Sequence, residues 1–139
     1  MEQTSFYTYI KLAADDFPLE AVTERLGVEP TNTWKVGDEV RRNRSLKRFY
    51  TCWKYQVGPV QSLDVDDVLN QLYDVFNPKV DVINELMQQY DLNVKIVLVI
   101  EMENGQTPGL VISPAFSRFT SSLDALIDID MYVSPFSEI

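Results

Sequence analysis

Apolar and polar side chains alternate through residues 5–13. Phe6, Thr8, Ile10 and Leu12 fall on one face, and Tyr7, Tyr9 and Lys11 on the other. A period of two is the mark of a strand buried on one side. The period changes at Asp15-Asp16-Phe17-Pro18, which opens a helix: acidic residues sit at its positive end and proline in its first turn. Leu19, Val22 and Leu26 form its apolar stripe, and Gly27 is a natural stop. Pro30 then turns the chain.

Residues 31–37 read as a short strand or an ordered loop, and 39–47 as a polar excursion. Residues 48–57 alternate again. Phe49, Thr51, Trp53, Tyr55 and Val57 lie on one side, and Tyr50, Cys52, Lys54 and Gln56 on the other. Gly58-Pro59 reads as the end of that strand. From about Asp64 the period returns to helical, with Val65, Val68, Leu69, Leu72 and Phe76 on one stripe. Asn77-Pro78 suggests a break, with Asn77 capping a second helix and Pro78 at its first position. Ile83, Leu86, Met87 and Tyr90 carry that helix's stripe.

Residues 93–103 form the clearest strand. Val94, Ile96, Leu98, Ile100 and Met102 point one way, while Val97 and Val99 make the second face apolar too. An interior strand, buried on both faces, is expected. Asn104-Gly105 is a strong hairpin signal. It predicts a returning strand at about 107–112, which Pro108 would confine to an edge. Ser113-Pro114 starts a short helix carrying Phe116, Phe119 and Leu123, and Ile127, Ile129, Met131 and Val133 mark a closing strand at 126–133. The expected fold is a single α+β domain spanning 1–139, with a mainly antiparallel sheet. A ferredoxin-like βαββαβ core is extended by the hairpin, the short helix and the closing strand.

Composition narrows the function classes. The 139 residues include no histidine and one cysteine, Cys52, and 45% are apolar. The lack of histidine removes the commonest general base and transition-metal ligand, so no enzyme activity, metal or cofactor is expected. No apolar run approaches the roughly 20 residues that span a bilayer. Met1-Glu2-Gln3-Thr4 lacks the basic-then-apolar pattern of a signal peptide. With a lone cysteine, this points to the cytoplasm. The net charge is −9, yet seven of the 12 basic residues fall between Lys35 and Lys54, beside two acidic ones. A strongly acidic chain repels nucleic acid and anionic membranes and attracts basic proteins.

Several residues in order resemble a bacterial family called domain of unknown function 4279. They are Thr23, Leu26, Gly27 and Pro30 in AVTERLGVEP, then Thr31, Trp34, Gly37 and Asp38, and Trp53 in the middle strand. Pro108-Gly109-Leu110 follows, and then Asp128, Asp130 and Tyr132 in the closing IDIDMYV. The resemblance covers nearly the whole chain. It implies a compact α+β cytoplasmic domain and assigns no catalytic residue.

Four groups of residues are candidate sites. Trp34, with Lys35 and Asp38, could anchor a binding pocket, since tryptophan is typical of interface hot spots. Equally, the nearby glycines and proline suit a fixed loop in which Trp34 plugs the end of the core. Arg41, Arg42 and Arg44, with Lys47 and Arg48, could grip phosphate, with Tyr7, Tyr9 and Tyr50 as a stacking platform. Against that stand the net charge and the missing glycine–aromatic signature. Asp128 and Asp130 lie about 7 Å apart on one strand face, but two carboxylates are too few for a hard cation. Asp66, Asp67, Asp74, Asp81 and Glu85 sit off the apolar helical stripes and form an acidic surface. By analogy of size and charge, the expected function is a non-enzymatic, immunity-like inhibitor that binds a basic protein partner such as a toxin. The alternative is a small-ligand or nucleic-acid-binding domain using Trp34 and the basic run 41–48.

Overall fold

The computed structural model describes residues 3–135. Met1 and Glu2, on which the signal-peptide reading rests in part, lie outside them. The elements are β1 (Ser5–Ala14), α1 (Leu19–Leu26), β2 (Asn32–Trp34), β3 (Glu39–Val40), β4 (Asn43–Lys47), β5 (Thr51–Gln61), α2 (Asp66–Phe76), α3 (Val80–Tyr90), β6 (Asn93–Met102), α4 (Pro114–Ser122) and β7 (Leu126–Val133). A 3-10 turn at Asn77–Lys79 joins α2 to α3.

Five strands form one sheet in the order β2-β5-β1-β6-β7, and β3 and β4 pair separately as a hairpin. Neighbours are antiparallel except β6 and β7, which run parallel. The fold is therefore α+β with a mainly antiparallel sheet. β1 is its axis, with β5 on one side and β6 on the other.

Alternation along these strands decides which face is covered. Phe6, Ile10 and Leu12 of β1, Trp53 of β5, and Val94, Ile96, Leu98 and Ile100 of β6 point to the helices and form the core with them. Val22 and Leu26 of α1, Val68, Leu72 and Phe76 of α2, Ile83 and Leu86 of α3, and Phe116 and Phe119 of α4 complete it. Two polar groups in this layer are satisfied. The Trp53 Nε1–H donates to Thr23 Oγ1 at 2.9 Å, and the buried Thr8 hydroxyl donates to the Val97 carbonyl at 2.8 Å. As expected, β6 lies inside the sheet, with Val97 1% and Val99 4% exposed. No helix among the described residues covers these two valines; Tyr7, Tyr9, Asp128 and Asp130 flank them in register on the adjoining strands.

Four local expectations need correction. Phe49 precedes β5 and is 84% exposed instead of lying on its buried side. Gly58-Pro59 does not end β5, which runs on to Gln61. A bulge absorbs the pair: Phe6 faces Val60 and Thr8 faces Val57, so Tyr7 stands opposite both Gly58 and Pro59, one residue more than a regular ladder. Asn77 is helical and caps nothing with its side chain.

The fourth correction concerns Asn104-Gly105, which turns in the left-handed region without starting a strand. Beyond it, the strand-like pairing among the described residues is an isolated bridge between Gly109 and Asp64. Thr4 instead pins the turn. Its hydroxyl donates to the Gln106 carbonyl at 2.6 Å and accepts from the Glu103 N–H at 3.0 Å. The place beside β6 goes to β7, which arrives parallel by way of α4, as a crossover requires.

Gly58 is the position where the bulge depends on glycine. Its φ is +94°, and a Cβ there would stand 3.0 Å from the Phe6 carbonyl oxygen. Gly27 shares the positive φ, at +71°, but has open space around it. Alanine at either site strains the backbone by about 1–2 kcal/mol, and Gly58→Ala adds the clash. Urea melts should rank Gly58→Ala well below Gly27→Ala; equal midpoints would contradict this account of the bulge.

Candidate functional site

The helices cover one face of the sheet, so the other is built from the opposite set of alternating residues. From β2 to β7 it carries Trp34, Lys54, Tyr9 with Lys11 and Tyr7, Lys95 with Glu101, and Asp128 with Asp130 and Tyr132. Small side chains lie between large ones. Cys52 and Val97 are buried here because aromatic rings and lysine stems cross over them.

The cations of this face sit on its rings. The Arg48 guanidinium lies 4.0 Å from the centre of the Trp34 ring, and the Lys54 ammonium 4.0 Å from that of Tyr9. The Lys11 ammonium is 4.8 Å from the Tyr50 ring centre and donates to the Tyr50 hydroxyl at 2.8 Å. Tyr50 meets Trp34 edge-on, with ring centres 5.5 Å apart, and Tyr7 and Tyr9 stack at 6.4 Å. Cation–π contacts of this kind contribute about 0.5–1 kcal/mol at exposed sites.

Among the described residues, no ion pair involves Lys11, Arg48 or Lys54. Burial lowers the Lys54 pKa; Lys11 and Arg48 push the same way, while Cys52 opposes them. Three cations without a carboxylate are a field waiting for an anionic group. Beside them the Trp34 Nε1–H is buried and has no acceptor among the described residues. A groove of about 530 Å³ opens there, lined by Asn32, Trp34, Asp38, Glu39, Arg41 and Arg48.

Toward β7 the sign of the face reverses. Glu101, Asp128 and Asp130 are acidic, and of these Asp128 takes the Lys95 ammonium at 3.1 Å. Their charges and, first, burial raise the pKa values of Tyr7 and Tyr9, which therefore stay protonated phenols.

The expected site residues do not all meet. Trp34 is half-buried on the open face and is not part of the core; Trp53 holds the central core position. Lys35 turns away from Trp34 and bonds Asp16 and the Phe17 carbonyl, both at 2.8 Å. Asp38 accepts the Lys35 backbone N–H at 2.8 Å, so it shapes the turn. Of the arginines, Arg41 reaches the groove, whereas Arg42 and Arg44 stand exposed on the β3–β4 hairpin. Asp66, Asp67, Asp74, Asp81 and Glu85 lie on the helix layer behind the sheet, and Glu85 is ion-paired with Arg25. Among the described residues, no three His, Cys, Asp or Glu side chains come together as a metal site, so Asp128 and Asp130 remain a pair.

Lys11 and Lys54 escaped the sequence reading as site residues, whereas Arg48 was part of the basic run. The signal was a lysine in mid-strand close to aromatic residues, Tyr9 two positions before Lys11 and Trp53 and Tyr55 on either side of Lys54. Only the pairing of β1 with β5 puts Lys11 against Lys54.

The family model for Domain of unknown function (DUF4279) matches residues 4–134, so the chain belongs to that family. No curated protein and no solved structure matches it. No helix among the described residues is long and apolar enough to cross a membrane.

Two measurements check this geometry. Trp53→Ala should cost about 3–5 kcal/mol in a denaturant melt, and Trp34→Ala about 1–2 kcal/mol, because less of the ring is buried. Equal losses would put Trp34 back in the core. Burial raises the Cys52 thiol from 9.0 to about 11. Below the unfolded value this favours the native state fully, and the advantage fades as pH rises toward the native value. Native protein at pH 8 should resist iodoacetamide, whereas urea-unfolded protein reacts; rapid native labelling would show Cys52 to be open.

Proposed function

We propose that this member of the DUF4279 family is a non-enzymatic protein-binding module, immunity-like in kind, that docks its partner on the open face of the sheet. One observation carries the reading: an uncovered five-stranded face holds an aromatic centre between a cationic half and a carboxylate half. A surface with both signs suits a folded partner with the complementary pattern, which gains orientation and specificity from it. A nucleic-acid strand lying across β1 toward β7 would pass from Lys54 to Asp128 and Asp130 and be repelled. The lack of histidine and the protonated state of Cys52 favour binding over catalysis.

The same proposal takes β1, α1, β2, β5, α2 with α3, and β6 as a ferredoxin-like βαββαβ unit. Its support is the antiparallel order β2-β5-β1-β6, with β2 and β1 running the same way on either side of β5. In this reading β7 is an addition to that unit.

The acidic helices steer less than their charge suggests. They lie behind the sheet, and at physiological salt a charge is screened over about 8 Å. The carboxylates that act at the docking face are Glu101, Asp128 and Asp130. A second reading is favoured by the unpartnered Trp34 Nε1–H and by Arg41 and Arg48, which line the groove with Asp38 and Glu39: a small anionic ligand held there.

Affinity capture from the source cells, followed by kinetics at two salt concentrations, tests the first reading. Lys54→Glu should weaken capture of the partner by about tenfold or more, and Asp74→Lys with Asp81→Lys should change the on-rate less than about twofold. The opposite ranking would move docking to the helices. Recovery of nucleic acid without protein, lost in Arg41→Ala with Arg42→Ala, would sink the proposal. Quenching of Trp34 fluorescence by a nucleoside monophosphate, absent in Lys54→Glu, would favour the second reading.

A further inference from the structure

We infer that the outer edge of β7 receives an extended segment of the partner protein, one with basic and apolar residues in alternation. The inference rests on the protein-binding reading and names the strand and the partner chemistry it uses. Among the described residues, β7 pairs with β6 on one side and with no strand on the other. The Ser134 N–H donates to the Met102 carbonyl at 3.0 Å, in step with the β6–β7 ladder. Strand alternation then turns the N–H and C=O groups of Asp128, Asp130 and Tyr132 toward β6. Those of Ile127, Ile129, Met131 and Val133 face outward.

This edge lacks the usual protection. Proteins blunt edges with proline, lysine, bulges or short strands. β7 has eight residues, LIDIDMYV, with no proline, glycine or lysine, and it pairs with β6 without a register shift. On its helix side Met131 is 62% and Val133 72% exposed, and Ile127 is open as well. Contiguous exposed apolar residues on a free edge mark a docking site for another strand.

Charge selects the occupant. Asp128 and Asp130 line the other side of the same edge, and no ion pair among the described residues involves Asp130. A second copy paired at the middle of the strand fits poorly. Two-fold antiparallel pairing about Ile129 would set Asp128 against Asp130 in both halves, and like charges directly opposite destabilise a sheet. A strand with lysine or arginine on that side and valine-like residues on the other meets carboxylates with cations and covers Ile127 and Met131. The added strand would continue the open face beyond its acidic half.

The test uses the full ¹⁵N-labelled chain and an end-blocked peptide of eight residues alternating lysine and valine. Amide resonances of Ile127, Ile129 and Met131 should shift and exchange more slowly on titration, and the effect should shrink with salt. A glutamate–valine peptide should not bind. Ile129→Pro removes an outward N–H while sparing the ladder to β6, and Asp130→Lys reverses the selecting charge; each should weaken binding by about tenfold or more. Should Ile129→Pro fail to fold, Asp130→Lys alone decides. Unmoved β7 resonances, equal binding of the glutamate peptide, or unchanged affinity in Asp130→Lys would overturn the inference. So would a dimer of the free protein that Ile129→Pro disperses. If the peptide fails while a partner is still captured and lost in Lys54→Glu, only the β7 inference falls.

Discussion

A single helix layer covering one face of a five-stranded sheet is the constraint from which the other features follow. β1 sits at the centre, paired on both sides, and its strict alternation sends Phe6, Thr8, Ile10 and Leu12 to the helices. That leaves Tyr7, Tyr9 and Lys11 on a face with no second layer among the described residues. A sheet open to water on one side normally shows polar residues there. This one instead buries Cys52, Val97 and Val99 beneath side chains that are themselves half-exposed. Aromatic rings and the alkyl stems of lysine can do this, because each has an apolar body and a polar end.

The same solution explains why three cations gather without counter-charges. Arg48, Lys11 and Lys54 lie over or beside rings whose faces attract positive charge. The rings offset part of the repulsion; the Lys54 pKa is lowered first by burial and further by Lys11 and Arg48. The carboxylates that could have neutralised the cluster are placed elsewhere. Asp16 is engaged by Lys35 and Thr51, Asp128 by Lys95, and Glu85 by Arg25. An uncompensated cluster in an otherwise acidic protein is an electrostatic opening for a partner's anionic group, and the acidic half beyond Lys95 sets the direction in which that partner lies.

Much of the fold was legible because it was written in short periods. The alternation of β1 and β6, the stripes of α1, α2 and α3, and the stop at Gly27 are local patterns, and each formed. The misses came where tertiary context overrode a local cue. Asn104-Gly105 does turn the chain, but Thr4 captures the next residues and β7 takes the edge. Gly58-Pro59 reads as a break, yet a bulge opposite Tyr7 carries the strand past it. The site was less legible than the fold. Trp34 could be singled out, but whether it or Trp53 entered the core depended on which strand face met the helices. Lys11 and Lys54 are 43 positions apart, and only the β1–β5 register brings them together.

β7 shows why the sheet's two edges differ in character. β2 is a three-residue edge strand, too short to template much pairing, and the polar β3–β4 hairpin follows it. β7 is long, regular and apolar on one side, and it joins the sheet in parallel after the crossover through α4. A parallel addition uses the β6-facing backbone groups and leaves every second residue's pair directed outward. Asp128 and Asp130 do not close that edge, since carboxylates cannot satisfy the N–H and C=O groups beside them while pointing to the open face. They make the edge selective: two copies centred on Ile129 bring carboxylates together across it, and a basic strand does not. The acidic half of the face and the free edge are thus parts of one surface, with β7 as the border they share.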